Sequence, residues 1–562
     1  MLKGKQKDIS QKLFILIAIL LVAIKLVLTS LQSVYLLPYT SPIDDMLMYN
    51  AAESILHGNW LGTYNWLTLS KYAFFSVWVA LLNILHIPYL IGGQLLWTGA
   101  VCTATGAFKP LIQKRRIRIL LFALLLYNPA VSAAEVQLRV YRDNIFPALC
   151  LLCIGGFIGA ALRIKNGVSG YAGYIICGGI GLALAWVTRE DGLWLLPFAI
   201  GATVCIVAFL IKEKSDKRIL KGTLLLLPYC LVCAVILSFC TVNYAYYGRF
   251  VLSDLTSREF KDAYGALSRV EHENWQPKVA VPYDVRQKLY LLVPELARIE
   301  PALERGYFYG RYGIVEDKEF TTGGFHWALR EAAGDAGIYS DANTAKEYFE
   351  TVADKVNKLC DDGVIKAGPR RSSTTAPIRK EYVLPVLKDG FKNIWRALSF
   401  EDCYPMFNDL TYATPLELTS FERILNEKPV TVAISGTSKP YYNAAQRMAH
   451  GVLIGVNAVY TLIMPFLFGM ALIWVYAAAR SFAKKEKREN PLLFIIMLGV
   501  LLAIMLRSFM ISFMFVSSFN DNLSRVMYLS SIHPMLILFA FVGTLLFVKH
   551  FKNKKGDTNW QI

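Results

Sequence analysis

Three things are missing from this chain of 562 residues. Metal-ligand spacing is absent. Of the ten cysteines, Cys150/Cys153 and Cys230/Cys233 are spaced as CxxC, but both pairs lie in hydrophobic runs without a second pair or a histidine partner. They read as small apolar packing residues, not as a zinc or dithiol redox site. No internal repeat of convincing period is present, which counts against a transporter built on repeat symmetry. A cleavable leader is absent as well, because Lys3, Lys5 and Lys7 precede a long hydrophobic segment with no small-residue cleavage site. Charge is sparse: 18% of residues are charged, 55% are hydrophobic and 13% aromatic. Soluble domains rarely sustain such values, and several runs could cross a hydrocarbon core of ~30 Å. The expected class is an all-α polytopic membrane protein.

The formal net charge is +17. Its basic residues fall mostly in short clusters between hydrophobic runs, a placement that marks topology and contact with anionic membrane lipids and excludes nucleic acid as a partner. The first segment covers about 12–37, and the next strongly basic loop is "KPLIQKRRIR" at 109–118. Two apolar stretches, 72–87 and 88–108, lie between. If both crossed, the basic loop would face away from Lys3, Lys5 and Lys7, against the positive-inside rule. The stretch "YAFFSVWVALLNILHI" at 72–87 is short and aromatic and is expected to lie in the interface. Further crossings at about 118–138, 144–163, 169–188, 191–211, 222–243, 450–478, 491–516 and 528–548 then leave every basic cluster inside. Those clusters are Arg163/Lys165, Lys212–Lys221, Lys484, Lys485, Lys487, Arg488 and the tail "KHFKNKKGD". The expectation is about ten transmembrane helices with both termini cytoplasmic.

Three parts follow: an N-terminal membrane module, 1–243, with a first outer loop at 38–87; an extracytoplasmic, mainly helical insert, 244–445; and a C-terminal membrane module with a cytoplasmic tail, 446–562. The helical reading of the insert rests on "SREFKDAYGALSRV" and "ANTAKEYFETVADKVNKLCDDGV", with apolar residues three and four apart. Residues 363–377, rich in Gly, Ser, Thr and Pro, read as an exposed loop. Cys360 and Cys403, the two cysteines of this region, could pair.

The outer loops hold a concentrated set of charges. "SPIDDMLMYNAAESILHGNWLGTYN" brings Asp44 and Asp45, "RVYRDN" brings Arg139, Arg142 and Asp143, and "TREDG" brings Arg189, Glu190 and Asp191. "NDNLSRVMY" adds Asp521, Arg525 and Tyr528, while Lys25 and Arg507 sit within spans and Glu135 near the outer end of one. Each has a plainer reading. Asp44 or Asp45 could cap the helix beginning near Met46. Arg142–Asp143 and Arg189–Asp191 could be local ion pairs. Lys25 could snorkel, at a high cost so near the middle of a span, and Arg507 has a shorter route out. Convergence of acids and arginines on one face points instead to a cavity for a substrate with phosphate and hydroxyl groups.

In order and sidedness, these stretches resemble the GT-C glycosyltransferases, multispan enzymes that use polyprenyl-phosphate-linked sugars. The resemblance rests on "IDDMLMYNAAESILHGNWLG" after the first helix, "YRDN" before the fourth and "REDGLW" between the fifth and sixth, with "SRVMYLSSIHP" near the end. It extends to bacterial membrane proteins described as GT-C-like. The insert between spans seven and eight departs from members with a C-terminal soluble domain and leaves the acceptor open. What the resemblance implies is a GT-C-like bundle, in a bacterial plasma membrane, that moves a sugar to a surface glycan, lipid or polymer on the outer face. Asp44 would be general base, with Asp45 capping or orienting the acceptor, and the anomeric centre would invert. Arg142, Arg189, Arg507, Arg525 and Lys25 would steady the leaving lipid phosphate. Asp143, Glu190, Asp191 and Tyr528 would line the substrate site. Trp60, Tyr64 and Trp66 could stack on a sugar or anchor at the interface, and His326 and Trp327 of "GGFHWALREAA" could meet an acceptor or simply start a buried helix. No cofactor is expected, although Asp44, Asp45 and Asp143 offer oxygen ligands that would suit a divalent cation. Rival readings are a lipid-linked sugar flippase, a polysaccharide polymerase or ligase, and an inactive scaffold.

Overall fold

A computed structural model describes residues 8–39, 41–272, 276–314, 317–405, 411–429, 431–432, 443–486, 489–519 and 524–554. Lys3, Lys5, Lys7, Lys487, Arg488, Asp521 and the end of the basic tail lie outside them. Among the described residues, eight helices are long and apolar enough to cross a membrane: Gln11–Ser30, Arg142–Ala161, Val168–Thr188, Glu190–Lys212, Arg218–Tyr247, Ala444–Ala483, Pro491–Ser517 and His533–Lys552. The protein is an α-helical, multi-pass membrane protein. Its described strands are four two-residue pieces in two small pairs.

Two of the ten expected crossings, 88–108 and 118–138, are not among these eight. Phe74–Ile84 meets Tyr89–Ala107 at 109°, so the pair counts as at most one broken span. With 11 residues, about 16 Å of helix, Phe74–Ile84 is too short to cross. The stretch 118–138 begins as a helix, Arg115–Leu126, and stops at Asn128-Pro129. A residue before proline is pushed out of the α region, and the Asn128 side chain accepts from the Ala130 N–H at 3.1 Å, closing a turn. The chain continues as a short 3₁₀ turn, Pro129–Ser132, and a π turn, Ala134–Leu138. Residues 128–133 and 136–138 are buried in protein, the condition under which irregular backbone is tolerated at membrane depth.

Small residues set the closest helix approach. A Cβ on Gly156 would meet the Gly178 backbone at 2.3 Å, and one on Gly181 the Cys153 backbone at 2.4 Å. Phe146–Ala161 and Val168–Thr188 therefore pack backbone to backbone.

The insert has two parts. From Phe260 to Cys360 it forms its own hydrophobic core, built by helices such as Arg258–Ser268, Thr322–Asp335 and Ala342–Asp361. Ala397, Leu398, Phe400 and Cys403, with Phe421, Ile424 and Leu425, instead belong to the core of the membrane bundle. Cys360 and Cys403 thus fall in different cores and both thiols are free; Cys403 Sγ lies 3.6 Å from His533 Nε2. The open pairing of these cysteines is resolved against a disulfide.

Candidate active site

A short parallel bridge assembles the site. Tyr35 donates its N–H to Leu138 O at 3.0 Å, and Val140 donates to Tyr35 O at 3.1 Å. This brings the end of the first segment beside "RVYRDN", so that Asp44 and Asp45 face Arg139 and Tyr141. Both aspartates lie in a π turn, Pro42–Met46, and neither caps the following helix Leu47–Leu56. The cap expected of one of them is not made: both carboxylates are taken up by groups outside this helix, Asp45 by Arg139 and Leu37 and Asp44 by Lys71 and Tyr141.

The two acids differ. Asp45 is fully buried; its carboxylate accepts from Arg139 Nε at 2.8 Å and from the Leu37 N–H at 3.0 Å, and forms an ion pair with Arg139 Nη2 at 2.6 Å. The Asp44 side chain is 31% exposed. It pairs with the Lys71 ammonium, accepts from Tyr141 Oη at 3.0 Å, and lies 3.9 Å from Arg139. Burial works to raise the Asp44 carboxyl, but the charges of Lys71, Arg139 and Arg142 and the Lys71 hydrogen bond outweigh it and hold the acid below the ordinary carboxylate range. Lys71 is itself buried, which pulls its ammonium down against the opposing pull of Asp44. Its Nζ stands 5.1 Å from the Tyr141 ring and 5.5 Å from the Trp327 ring, two aromatic faces that attract a cation.

A second chain of charges adjoins the first. Arg189 binds Asp143 at 2.5 Å and Asp191 at 2.9 and 3.2 Å, and Asp191 also binds Arg507 at 2.8 Å. Arg507 donates to the Tyr528 carbonyl at 3.1 and 3.3 Å. The Arg189 guanidinium sits between the rings of Phe146, 5.1 Å away, and Tyr528, 5.2 Å away. Arg142 pairs with Glu190 at 2.7 Å, not with its neighbour Asp143 as a local pair would, because the two loops interleave. Glu190 also accepts from the Tyr72 N–H at 3.3 Å, which ties this loop to the segment carrying Lys71. In these clusters five carboxylates, of Asp44, Asp45, Asp143, Glu190 and Asp191, face five cations, of Lys71, Arg139, Arg142, Arg189 and Arg507.

Two expected members stand apart from both clusters. Lys25 neither snorkels nor meets an acid; it is buried, with Nζ 2.5 Å from Ser132 Oγ. Arg525 pairs with Asp389 at 2.6 Å and Asn393 at 2.8 Å, both on the helix Val383–Ser399. In the first loop, Trp60 donates to Asn243 at 2.8 Å, Tyr64 donates to Asp254 at 2.7 Å, and the Trp66 carbonyl accepts from Arg330. These three tie the loop to its neighbours. Trp327 reaches Lys71, and burial pulls the adjacent, half-buried His326 down to about 4, with the charges of Arg330 and Lys71 adding to the effect. Sequence reasoning passed over Lys71 and Tyr141. One signal for Lys71 was available: a lone lysine heading an aromatic stretch that the loop charges assign to the outer face runs against the positive-inside rule.

Among the described residues, no group of three or more His, Cys, Asp or Glu is arranged to hold a metal ion. Of the three acids considered as oxygen ligands, Asp45 and Asp143 are engaged by Arg139 and Arg189. No protein-family model matches the chain, and no curated protein matches it significantly. Among solved structures it is similar to ArnT from Cupriavidus metallidurans in the apo state, with 12% identity over 92% of this chain and 77% of that one and a TM-score of 0.31. At that level of superposition, the functional argument rests on the residues described above.

Proposed function

We propose that this chain is an inverting, GT-C-type glycosyltransferase that moves a sugar from a polyprenyl-phosphate-linked donor to a surface glycan, lipid or polymer acceptor at the outer membrane face. The observation that carries the reading is the contrast between the two aspartates. Asp45 is sealed against Arg139, whereas Asp44 is open and paired with a lysine.

In this reading the acceptor hydroxyl gives its proton to the Asp44 carboxylate as its oxygen bonds to the anomeric carbon. The bond from that carbon to the phosphate oxygen breaks on the opposite face, and the lipid phosphate leaves as an anion. A phosphate needs a cation more than it needs an acid. With carboxylates and cations otherwise matched one to one, Lys71 is the group whose partner is the most exposed of the five carboxylates. Lys71 turning toward the phosphate would also strip Asp44 of its main counter-charge and make it a stronger base. Asp45, Asp143 and Asp191 act as positioning residues for Arg139, Arg189 and Arg507, and Trp327, buried in the core of the insert, sets its ring against Lys71. The side chains supply the charge the reaction requires, and no cofactor enters.

The experiment is a comparison of surface glycans and lipid-linked sugars in cells with and without the protein. One polyprenyl-phosphate sugar should accumulate in its absence, and Asp44→Asn should reproduce that accumulation with the protein still folded and present. Unchanged glycans and lipids in both would defeat the reading. One observation favours a second reading, a lipid-linked sugar flippase: the buried irregular backbone at 128–138, where a span was expected. A flippase would tolerate Asp44→Asn and still alter the sidedness of the lipid-linked sugar.

A further inference from the structure

The helix Val383–Ser399, "VLPVLKDGFKNIWRALS", is amphipathic in an unusual setting. One face is packed. Gly390 lies against the Phe509 ring so closely that a Cβ would come within 2.2 Å, and Asn393 Nδ2 donates to Ser512 Oγ at 2.9 Å. The carbonyl of Ser399 at its end accepts from Thr461 Oγ1 at 2.7 Å. The opposite face carries Leu384, Leu387, Phe391 and Trp395, between 46% and 74% exposed and spaced three and four residues apart. Along one shoulder of this stripe, Lys388, Lys392 and Arg396 follow at four-residue intervals.

The contact points fix the depth of the helix. Ala444–Ala483 and Pro491–Ser517 are joined by the basic turn that begins at Lys484 and Lys485. Counted from that turn, Thr461 lies about 33 Å along the first helix, and Phe509 and Ser512 lie about 27 and 32 Å along the second, at 1.5 Å per residue. All three distances match one hydrocarbon thickness of ~30 Å. Val383–Ser399 therefore lies across the outer boundary of the apolar layer, and the neighbouring span continues its surface with exposed Val459, Leu462 and Phe466. Like charges four residues apart on a helix repel one another, and the basic row is relieved where an anion lies alongside it.

We propose that Val383–Ser399 is seated in the outer leaflet. Leu384, Leu387, Phe391 and Trp395 face acyl chains, while Lys388, Lys392 and Arg396 hold the phosphates of anionic lipids. This makes the second part of the insert a membrane-bound element, and it does not depend on the proposed reaction. The same helix carries Asp389, so its seat also sets where the Arg525 guanidinium stands.

The test uses the full chain in lipid nanodiscs, with an environment-sensitive fluorescent amino acid in place of Phe391, of Leu462 on the span, or of Tyr307, exposed on the part of the insert that has its own core. With phosphatidylcholine brominated on its acyl chains, quenching at 391 should come within twofold of that at 462 and exceed that at 307 at least threefold. Quenching at 391 equal to that at 307 overturns the proposal, and two copies per disc with 391 shielded would assign the stripe to a second copy instead. For the basic row, native mass spectrometry should show the double variant Lys388→Gln/Lys392→Gln retaining at least one fewer phosphatidylglycerol than the parent. Equal retention overturns the anionic-lipid half of the proposal.

Discussion

Replacing Asp44 with Asn separates catalysis from folding more cleanly than any other change in the site. The amide keeps the size of the side chain and one oxygen to accept from Lys71 and Tyr141, and the position is partly open, so little burial is lost. What disappears is the carboxylate proposed to take the proton. General-base catalysis is worth about 10²- to 10⁴-fold, so kcat should fall by that factor, or about 3–5 kcal/mol at 1.36 kcal/mol per decade. The assay is transfer of the lipid-linked sugar that accumulates without the protein, using purified enzyme in nanodiscs, alongside a thermal melt. Asp45→Asn supplies the contrast. Its carboxylate has no exposed surface and binds Arg139 twice, and breaking a buried pair from one side costs about 3–5 kcal/mol of stability. That variant should melt lower or fail to accumulate, whereas Asp44→Asn should melt within a few degrees of the parent. Transfer by a well-folded Asp44→Asn within tenfold of the parent would refute the assignment of the base.

Lys71→Gln should lower kcat/KM at least tenfold, with the larger part in the donor KM; a purely structural role for Lys71 would instead appear as a lower melting temperature. Asp143→Asn should destabilise the protein by about 3–5 kcal/mol, because it leaves the buried Arg189 without one of its two carboxylates; a melt within 2 °C of the parent would contradict this. The profile of kcat/KM, which reports the free enzyme, should show no acid limb assignable to Asp44 above about pH 4: a carboxyl held below its ordinary range is ionised throughout that window, and both its basic form and its contribution to stability are lost only as pH falls through the depressed value. Trp327→Ala should destabilise the protein by about 3–5 kcal/mol, because the ring is buried in the core of the insert; a melt within 2 °C of the parent would contradict this.

Much of the membrane architecture was legible because hydropathy and basic clusters act locally and add along the chain. A run of twenty apolar residues needs no partner to be read as a span, and Lys212–Lys221 mark their side of the membrane wherever the helices pack. The stretch 118–138 was misread for the same reason. Its composition is that of a span, and only Asn128-Pro129 signals the break, which becomes tolerable because neighbouring helices bury it.

The sequence by itself determined that this is a helical membrane protein and which loops carry its acids and arginines. Those properties follow from transfer free energies and charge placement, which are sums over neighbours in the chain. Tertiary structure alone decided which acid meets which cation: Asp45 sealed by Arg139 from 94 residues away, Arg142 turned to Glu190 in place of Asp143, and Asp44 left open against Lys71. Adjacent aspartates are chemically identical in a sequence. They become different groups only when long-range packing buries one and leaves the other at the surface of the site.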